Sequence, residues 1–394
     1  MPVQKLSVVM LGGQGVGKSS LMAVLYNSLK SELQTSPLIL NALGSTADRL
    51  EVLYSQLMEF GYTGEPSRGI QKTPDPAYYE FELASRNRTD LPGTPQDFSL
   101  HITFTDYPGE YIRENQIFVR DKINEASAVL IAIDTPALME EPVLNERMNA
   151  TNYFSSLLQS VFGASRTPRL VLLAPIKCER WVQSLDGTRD LSEHIKAGPY
   201  KDLLDNMAAM TTTAPEGIHA KHYVAVAITP IQTVGSVVFS HFDGDEFGRP
   251  VHVWKKVSAD APFAPVDCDQ PLRYLMGFLI KQHLEHRRSP EHHFEAVSTA
   301  FAGRNMPGVV QGVLRAGAAI VGQVADHAAH LMGSDGFWAS GFGQLVDFFS
   351  GNEGFRKAVE AFAQGAKRLP PFELVQGASL IADSHEPAEL EERR

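Results

Sequence analysis

The feature that most constrains this chain is a glycine-rich loop between an apolar segment and a helix-forming segment. The apolar segment covers residues 5–11, and the loop that follows is Gly12-Gly13-Gln14-Gly15-Val16-Gly17-Lys18-Ser19-Ser20. Glycines let a backbone wrap around phosphate oxygens, because they lack Cβ and tolerate positive φ. The loop N–H groups and the N-terminus of the following helix then attract the phosphates. The sequence therefore predicts a phosphate-binding P-loop, in which Lys18 contacts the β- and γ-phosphates and Ser19 ligates Mg²⁺.

Length, charge and cysteine content narrow the class of protein. The chain has 394 residues and a formal net charge of −11, so it lacks the basic excess with which nucleic-acid-binding proteins neutralise phosphates. Cys178 and Cys268 are far apart and predict no disulfide framework, which is typical of a reducing compartment. The N-terminus lacks a secretory pattern, and no stretch reaches the roughly eighteen apolar residues of a membrane helix. We therefore expect a cytoplasmic protein with no membrane span and no nucleic-acid partner.

Alternation of helix-forming and strand-forming segments predicts an α/β fold. Continuous apolar runs at 128–134 and 169–175 are typical of central parallel strands covered on both faces. Residues 33–41 are predicted to be a loop. The apolar spacing predicts helices over 17–29, 47–60, 110–125, 145–162, 200–210 and 271–286. Residues 1–286 are therefore predicted to form one domain, a P-loop NTPase three-layer sandwich with a mostly parallel central sheet.

The composition changes after residue 286. Small residues recur at helical spacing from Gly308 to Gly322, and small residues allow helices to pack closely. We expect residues 287–383 to form a helical extension that binds a protein partner or mediates self-association. Residues 384–394 are charged and are predicted to be a disordered tail.

A second chemical signal follows the strand predicted over residues 99–105. Asp106 lies at the carboxyl end of this strand, where a P-loop protein holds Mg²⁺ directly or through water. Gly109 follows three residues later, and its N–H can approach the γ-phosphate because it has no Cβ. With Ser19, these residues predict a magnesium site beside the phosphates.

The order and position of the motifs carry a family resemblance. Gly12–Ser19, Asp106–Gly109 and Ile176–Glu179 each lie at a strand end, and in this order they resemble the P-loop GTPases of the translation-factor-related (TRAFAC) class. Tyr-Glu-Phe-Glu-Leu at 79–83, Asp-Tyr-Pro-Gly-Glu at 106–110 and the segment 227–235 look most similar to bacterial double-GTPase domains. That group is associated with multi-protein conflict or defence gene neighbourhoods. The resemblance covers residues 5–284.

The resemblance implies catalytic roles for three residues. Lys18 would act on the transferred phosphate. Thr73, in the loop before the strand at 77–83, would close over Mg²⁺ and the γ-phosphate, although it is equally consistent with a turn residue before Pro74. Glu110 occupies the position whose side chain orients the attacking water in many GTPases, and a carboxylate can do the same. The alternative for Glu110 is a solvated acid at the start of a helix.

The resemblance also implies a nucleobase site. Ile176-Lys177-Cys178-Glu179 occupies the position of the family's Asn-Lys-x-Asp, so Glu179 would accept hydrogen bonds from guanine N1 and N2 while the Lys177 stem lies over the base. Adenine lacks this pair of donors and would be rejected. Ile176 and Glu179 depart from the family pattern, which leaves a plain charged strand end as the alternative. Thr229, after the last core strand, would contact the base through the backbone.

Three functions are compatible with these features. The first is a Mg²⁺-dependent GTPase that converts GTP to GDP, slowly without an activator, and acts as a nucleotide-controlled switch in a multi-protein bacterial system. The second is a nucleotide-binding assembly or scaffold module with negligible hydrolysis. The third is an ATP-using NTPase or small-molecule kinase, but Arg86, Arg88 and Arg113 do not form a convincing kinase lid. The resemblance favours GTP over ATP.

Overall fold

The fold is built around one large β-sheet. The computed structural model describes residues 4–65, 75–86, 99–109, 111–164, 168–211, 223–246, 249–287, 349 and 353–381. Their strands are β1 (Gln4–Leu11), β2 (Leu38–Ala42), β3 (Ala77–Ser85), β4 (Ser99–Asp106), β5 (Ala128–Asp134), β6 (Arg169–Ile176), β7 (Val224–Ile228), β8 (Val237–Gly244), β9 (Pro250–Lys256) and β10 (Glu373–Gln376). Eight of them form the sheet, in the spatial order β10-β7-β6-β5-β1-β4-β3-β2.

The centre of this sheet is parallel and its margins are antiparallel. Strand β1 pairs in parallel with β4 and β5, β5 with β6, and β6 with β7. Strands β2 and β3 at one margin and β10 at the other pair antiparallel. Every residue of β5 is buried, as expected of a strand covered on both faces.

Helices cover both faces of the sheet. They are α1 (Lys18–Glu32), α2 (Thr46–Thr63), α3 (Tyr111–Glu114), α4 (Gln116–Glu125), α5 (Thr135–Glu140), α6 (Pro142–Asn149), α7 (Thr151–Ala164), α8 (Leu185–Ala197), α9 (Lys201–Ala208), α10 (Gln270–Arg287) and a C-terminal helix (Glu353–Gln364). Side chains alternate along β1, so that Leu6 and Val8 enter one core and Val9 enters the other. The first core also buries α1, α2, α10 and the C-terminal helix, and the second buries α4, α7, α8 and α9. The predicted α/β class with a mostly parallel sheet between helical layers is thus confirmed.

Some predicted elements differ from the structure. The loop predicted over 33–41 is wrong, because Leu38–Ala42 forms β2, whose pairing with β3 juxtaposes Leu40 and Leu83. The single helix predicted over 145–162 is divided, since Ala150 takes a left-handed conformation with φ 51°. The carboxylate of Glu146 stabilises this break by accepting hydrogen bonds from the Thr151 hydroxyl at 2.7 Å and the following backbone N–H at 3.2 Å.

The C-terminal part of the chain returns to the main sheet. The C-terminal helix buries Phe355, Val359 and Phe362 in the same core as α10. Strand β10 pairs with β7, and Glu373 at its start accepts hydrogen bonds from Ser192 and Lys196 on α8. The described residues of the predicted extension over 287–383 thus add a sheet strand as well as a helix, while 288–348 and 382–394 lie outside the described residues.

A second, two-stranded sheet consists of β8 and β9. Strands β8 and β9 pair antiparallel and form a hairpin that is not hydrogen-bonded into the large sheet. The sequence predicts that residues 234–239 add an edge strand beside the last core strand, which is wrong, because β8 pairs with β9 in a sheet of its own. The loop or short hairpin predicted over 243–265 agrees with the structure in that β9 and its connection to β8 lie in this range. Across the ranges given above, no helix is long and apolar enough to cross a membrane.

Candidate functional site

The glycine loop (Gly12–Ser20) joins the end of β1 to the start of α1, and its shape requires glycine at specific positions. Gly17 precedes α1 with φ 117°, a conformation that residues with a Cβ rarely adopt. A Cβ on Gly13 would lie 1.9 Å from the carbonyl oxygen of Met148 on α6. The loop therefore depends on glycine for its backbone conformation and for its packing against a neighbouring helix.

Lys18 and Ser19 lie beside Asp106 at the end of the adjacent strand β4. Lys18 Nζ donates to the carbonyl oxygens of Gly12 at 3.0 Å and Gly13 at 3.4 Å and lies 3.8 Å from Asp106 Oδ1. Ser19 Oγ donates to Asp106 Oδ2 at 2.6 Å. The parallel pairing of β1 with β4 brings these groups together, since both strands end at the same edge of the sheet. One cation, one hydroxyl and one carboxylate thus converge at the start of α1.

The carboxylate of Asp106 is fully buried. Burial raises its pKa, while Lys18 and the Ser19 hydroxyl act in the opposite direction. Among the described residues, its Oδ1 has no hydrogen-bond partner. A buried carboxylate oxygen of this kind is available to a cation or to a hydrogen-bond donor of a ligand.

Gly109 approaches the glycine loop through its backbone. A Cβ built on Gly109 would lie 2.2 Å from Gln14 N and 2.6 Å from Gly13 C. Gly109, three residues after the end of β4, is therefore in close contact with the backbone of the loop at Gly13 and Gln14. Any ligand that contacts the backbone amides there lies close to Gly109 as well.

Lys177, after β6, connects the glycine loop to a buried carboxylate. It has φ 58°, and its Nζ donates to the Gly15 carbonyl oxygen at 2.9 Å and to Asp134 Oδ2 at 2.6 Å. Asp134 ends β5 and is also within 3.0 Å of His252 Nε2 on β9. Burial alone raises the pKa of Asp134, but Lys177 and His252 outweigh burial and hold this pKa well below its usual range.

Glu179, also after β6, is a third buried carboxylate at the site. Its Oε1 accepts hydrogen bonds from Val234 N at 3.1 Å and Gly235 N at 3.4 Å. Its Oε2 has no hydrogen-bond partner within the described part of the chain. Burial raises the pKa of Glu179, and these backbone N–H groups lower it in part. One oxygen thus fixes the side chain, and the other is available to a donor.

These groups line one cavity of about 330 Å³, a size typical of small-molecule sites. The polar lining comes from the glycine loop, Asp106, Lys177 and Glu179. The remaining lining is largely apolar or aromatic and comes mainly from α2, the residues before β8, and the β8–β9 hairpin: Leu53, Leu57, Phe60, Tyr107, Pro108, Ile176, Thr233, Val234, Val237, Val251, His252 and Trp254.

Most of the site residues predicted from the sequence lie at this cavity. Its lining includes Gln14, Gly15, Val16, Gly17, Lys18, Ser19, Ser20, Asp106, Gly109, Lys177 and Glu179. Gly12 and Gly13 contribute through the carbonyl groups that hold Lys18. Thr229 is not among the lining residues, its hydroxyl is buried 3.5 Å from the Leu173 carbonyl oxygen, and its backbone contact with the base stays a prediction. Thr73 and Glu110 lie outside the described residues.

Several residues at the cavity or next to it are not predicted from the sequence. Asp134 does not line the cavity but contacts the lining residues Lys177 and His252. It carries the same signal as Asp106, an acid at the end of an apolar strand, although no role is predicted for it. Thr233 and Val234 replace Thr229 as the residues that line the cavity after β7. His252 and Trp254 are on a hairpin whose sequence has no motif, so only the fold reveals their position.

A comparison of the chain with protein-family models found no match, and a comparison with curated proteins found no significant match.

Proposed function

We propose that this protein has a P-loop NTPase fold and is a Mg²⁺-dependent GTP-binding protein that hydrolyses GTP to GDP and acts as a nucleotide-controlled switch. The observation that carries the proposal is that one cavity is lined both by Lys18, Ser19 and Asp106 and by Lys177 and Glu179. The first group suits a triphosphate with a divalent cation, and the second suits a base that donates hydrogen bonds. A nucleoside triphosphate presents both features in one molecule.

The residues at the start of α1 fit a magnesium ion. Mg²⁺ prefers oxygen ligands, usually one or two from the protein together with phosphate oxygens and waters. The Ser19 hydroxyl and the Asp106 carboxylate supply oxygen atoms 2.6 Å apart, and Asp106 Oδ1 has no hydrogen-bond partner among the residues described. Bound Mg²⁺ would neutralise charge that develops on the phosphate oxygens.

The chain's own residues then hold the triphosphate. Lys18 Nζ is bonded to the carbonyl oxygens of Gly12 and Gly13, and it is nine-tenths buried, so its charge is directed into the loop rather than into solvent. A γ-phosphate placed inside the loop would receive hydrogen bonds from Lys18 and from the backbone N–H groups, in competition with the carbonyl contacts. Lys177 stabilises the loop by binding the Gly15 carbonyl.

Glu179 supports guanine as the base. Its Oε2 lacks a protein donor within the described residues, and guanine N1–H and N2–H₂ are two adjacent donors that a carboxylate can satisfy. Adenine offers no such pair, so it would leave a buried carboxylate oxygen without a hydrogen bond. Hydrolysis and switching depend on Glu110 and Thr73, whose roles stay predictions.

Nucleotide titration with matched variants tests this proposal. Calorimetry with Mg²⁺ should show tighter binding of GTP than of ATP. Lys18→Ala should weaken GTP binding about ten- to hundredfold, the value of a charge-assisted hydrogen bond, whereas Lys30→Ala on the exposed side of α1 should not change it. Glu179→Gln should reduce the preference for GTP over ATP, and Glu51→Gln on the exposed face of α2 should leave that preference intact.

Phosphate release separates an enzyme from a scaffold. We expect slow conversion of GTP to GDP by the wild-type protein and a lower rate in Glu110→Ala with unchanged GTP affinity. No binding of any Mg²⁺-nucleoside triphosphate by folded protein, or GTP affinity that Lys18→Ala leaves unchanged, would contradict the proposal. If the wild-type protein and Glu110→Ala both bind GTP but neither hydrolyses it, the protein is a nucleotide-binding scaffold and not a switch enzyme.

A further inference from the structure

The β8–β9 hairpin contributes two aromatic side chains to the cavity. The rings of His252 and Trp254 both line it, and they are stacked with centroids 5.6 Å apart and an interplanar angle of 15°. We infer that the stacked rings of His252 and Trp254 form an aromatic wall, that the nucleobase of the bound nucleotide stacks on an outer face of this pair, and that this hairpin is therefore part of the base-binding site. This inference rests on the proposed nucleotide-binding function.

The aromatic wall is held in a fixed orientation before any ligand binds. Trp254 contacts Phe60 of α2 edge to face at 5.6 Å and Phe239 of β8 edge to face at 6.1 Å. These two contacts come from different elements and restrict rotation of the indole. A ring that is already ordered loses little conformational entropy when a ligand stacks on it.

His252 links the aromatic wall to the phosphate-binding part of the cavity. Its Nε2 lies 3.0 Å from Asp134 Oδ2, Asp134 binds Lys177 at 2.6 Å, and Lys177 binds the carbonyl of Gly15 at 2.9 Å. The chain of contacts therefore runs from the hairpin to the glycine loop through a fully buried carboxylate. It fixes the distance between the aromatic rings and the loop, which is what a rigid ligand with a phosphate tail requires.

The chemistry of the lining identifies the occupant of this part of the cavity. Phosphates do not need the apolar side chains of Leu57, Phe60 and Trp254, whereas a purine base has two apolar faces as well as polar edges. Glu179 in the same cavity suits the polar edge of the base. Stacking on an aromatic side chain suits a face of the base and works for any purine, so this surface adds affinity while Glu179 selects guanine.

A comparison of GTP with tripolyphosphate, which has the phosphates but no base, tests the aromatic wall. Trp254→Ala should raise the Kd for Mg²⁺-GTP roughly five- to hundredfold, the contribution of one stacked base, and leave the Kd for Mg²⁺-tripolyphosphate unchanged. Trp254→Phe should recover most of the GTP affinity. Trp181→Ala is the matched control, because Trp181 also packs on Phe239, at 6.1 Å, but does not line the cavity.

Fluorescence gives a second measurement that does not depend on the stability of Trp254→Ala. The chain has three tryptophans, so Trp181→Phe/Trp338→Phe leaves Trp254 as the sole reporter. Its emission should change when GTP is added and stay constant when tripolyphosphate is added.

The outcomes distinguish the two proposals. If the wild-type protein binds GTP and Trp254→Ala binds it equally well, the aromatic wall is refuted and the proposed function stands. An equal loss of affinity for GTP and tripolyphosphate would also refute it, since that pattern indicates general damage to the site. If the folded wild-type protein binds neither compound, both proposals are wrong.

Discussion

Replacement of Gly109 by alanine has an effect that follows directly from the backbone geometry. The added Cβ would lie 2.2 Å from Gln14 N, whereas ordinary contact begins at 3.4 Å, so the two backbones must separate by 1.2 Å, the difference between these distances. The other near atoms, Gly13 C at 2.6 Å and Gln14 Cα at 2.7 Å, are also backbone and cannot rotate away.

The separation predicts two measurable losses. Overpacking of this kind costs about 1–3 kcal/mol of folding free energy, and each kcal/mol lowers the Tm of a chain of this length by roughly 1–2 °C. A displacement of about 1 Å in a group that positions a ligand can reduce activity by roughly a hundredfold. We therefore expect Gly109→Ala to melt several degrees lower and to bind Mg²⁺-GTP much more weakly than the wild-type protein.

Thermal unfolding monitored by circular dichroism and GTP titration measure these losses separately. Gly163→Ala is the matched control, because Gly163 lies in α7, and a Cβ there would meet no atom within 4 Å. Alanine should leave the Tm of that variant unchanged or raise it, since glycine inside a helix is destabilising. If Gly109→Ala matches Gly163→Ala in both Tm and affinity, the close approach of the two loops does not exist in solution.

Two further predictions concern the carboxylate of Asp134. Asp134→Asn should destabilise the protein by about 3 kcal/mol, because it leaves Lys177 in a mostly buried position without its charged partner. Asp205→Asn, in the exposed pair with Lys201, should leave the stability almost unchanged, and equal Tm values for the two variants would contradict this prediction. Burial and Lys177 lower the pKa of His252 in the folded protein below its ordinary value of 6.5, which the unfolded chain retains. At a pH between the folded and the unfolded pKa, the unfolded chain therefore binds a proton that the folded protein does not. The stability of the wild-type protein relative to His252→Asn, from urea unfolding, should therefore decrease as the pH falls below about 6.5; an increase would show that His252 is protonated in the fold.

The sequence was informative wherever a chemical group follows a strand directly. Lys18 and Asp106 are predicted from local patterns and Glu179 from the family resemblance, and all three line the cavity, while their roles stay predictions. Parallel strands explain why these residues lie together, because such strands end at the same edge of the sheet and bring distant parts of the chain to one place. Thr229 is less clear-cut, since Thr233 and Val234 of the same loop line the cavity and the predicted backbone contact of Thr229 with the base stays a prediction.

Contacts between residues or strands that are far apart in the sequence could not be predicted from such local patterns. Strand β2 is short and lies at the edge of the sheet, and its burial depends on a partner some forty residues later. His252 reaches Asp134 across 118 residues, and no periodicity or motif indicates such a contact. Strand β10 likewise joins the sheet beside β7 although a long stretch of chain separates them.

The amino-acid sequence by itself determined the α/β class, the glycine loop and the positions of the acids that follow the strands, because these features depend on backbone conformation and residue type over a few neighbours. Only the tertiary structure decided that α2 and the β8–β9 hairpin close the cavity with Phe60 and Trp254, and that Asp134 joins Lys177 to His252. Those contacts depend on how separate elements pack against each other, and packing is a property of the whole chain that local sequence patterns do not encode.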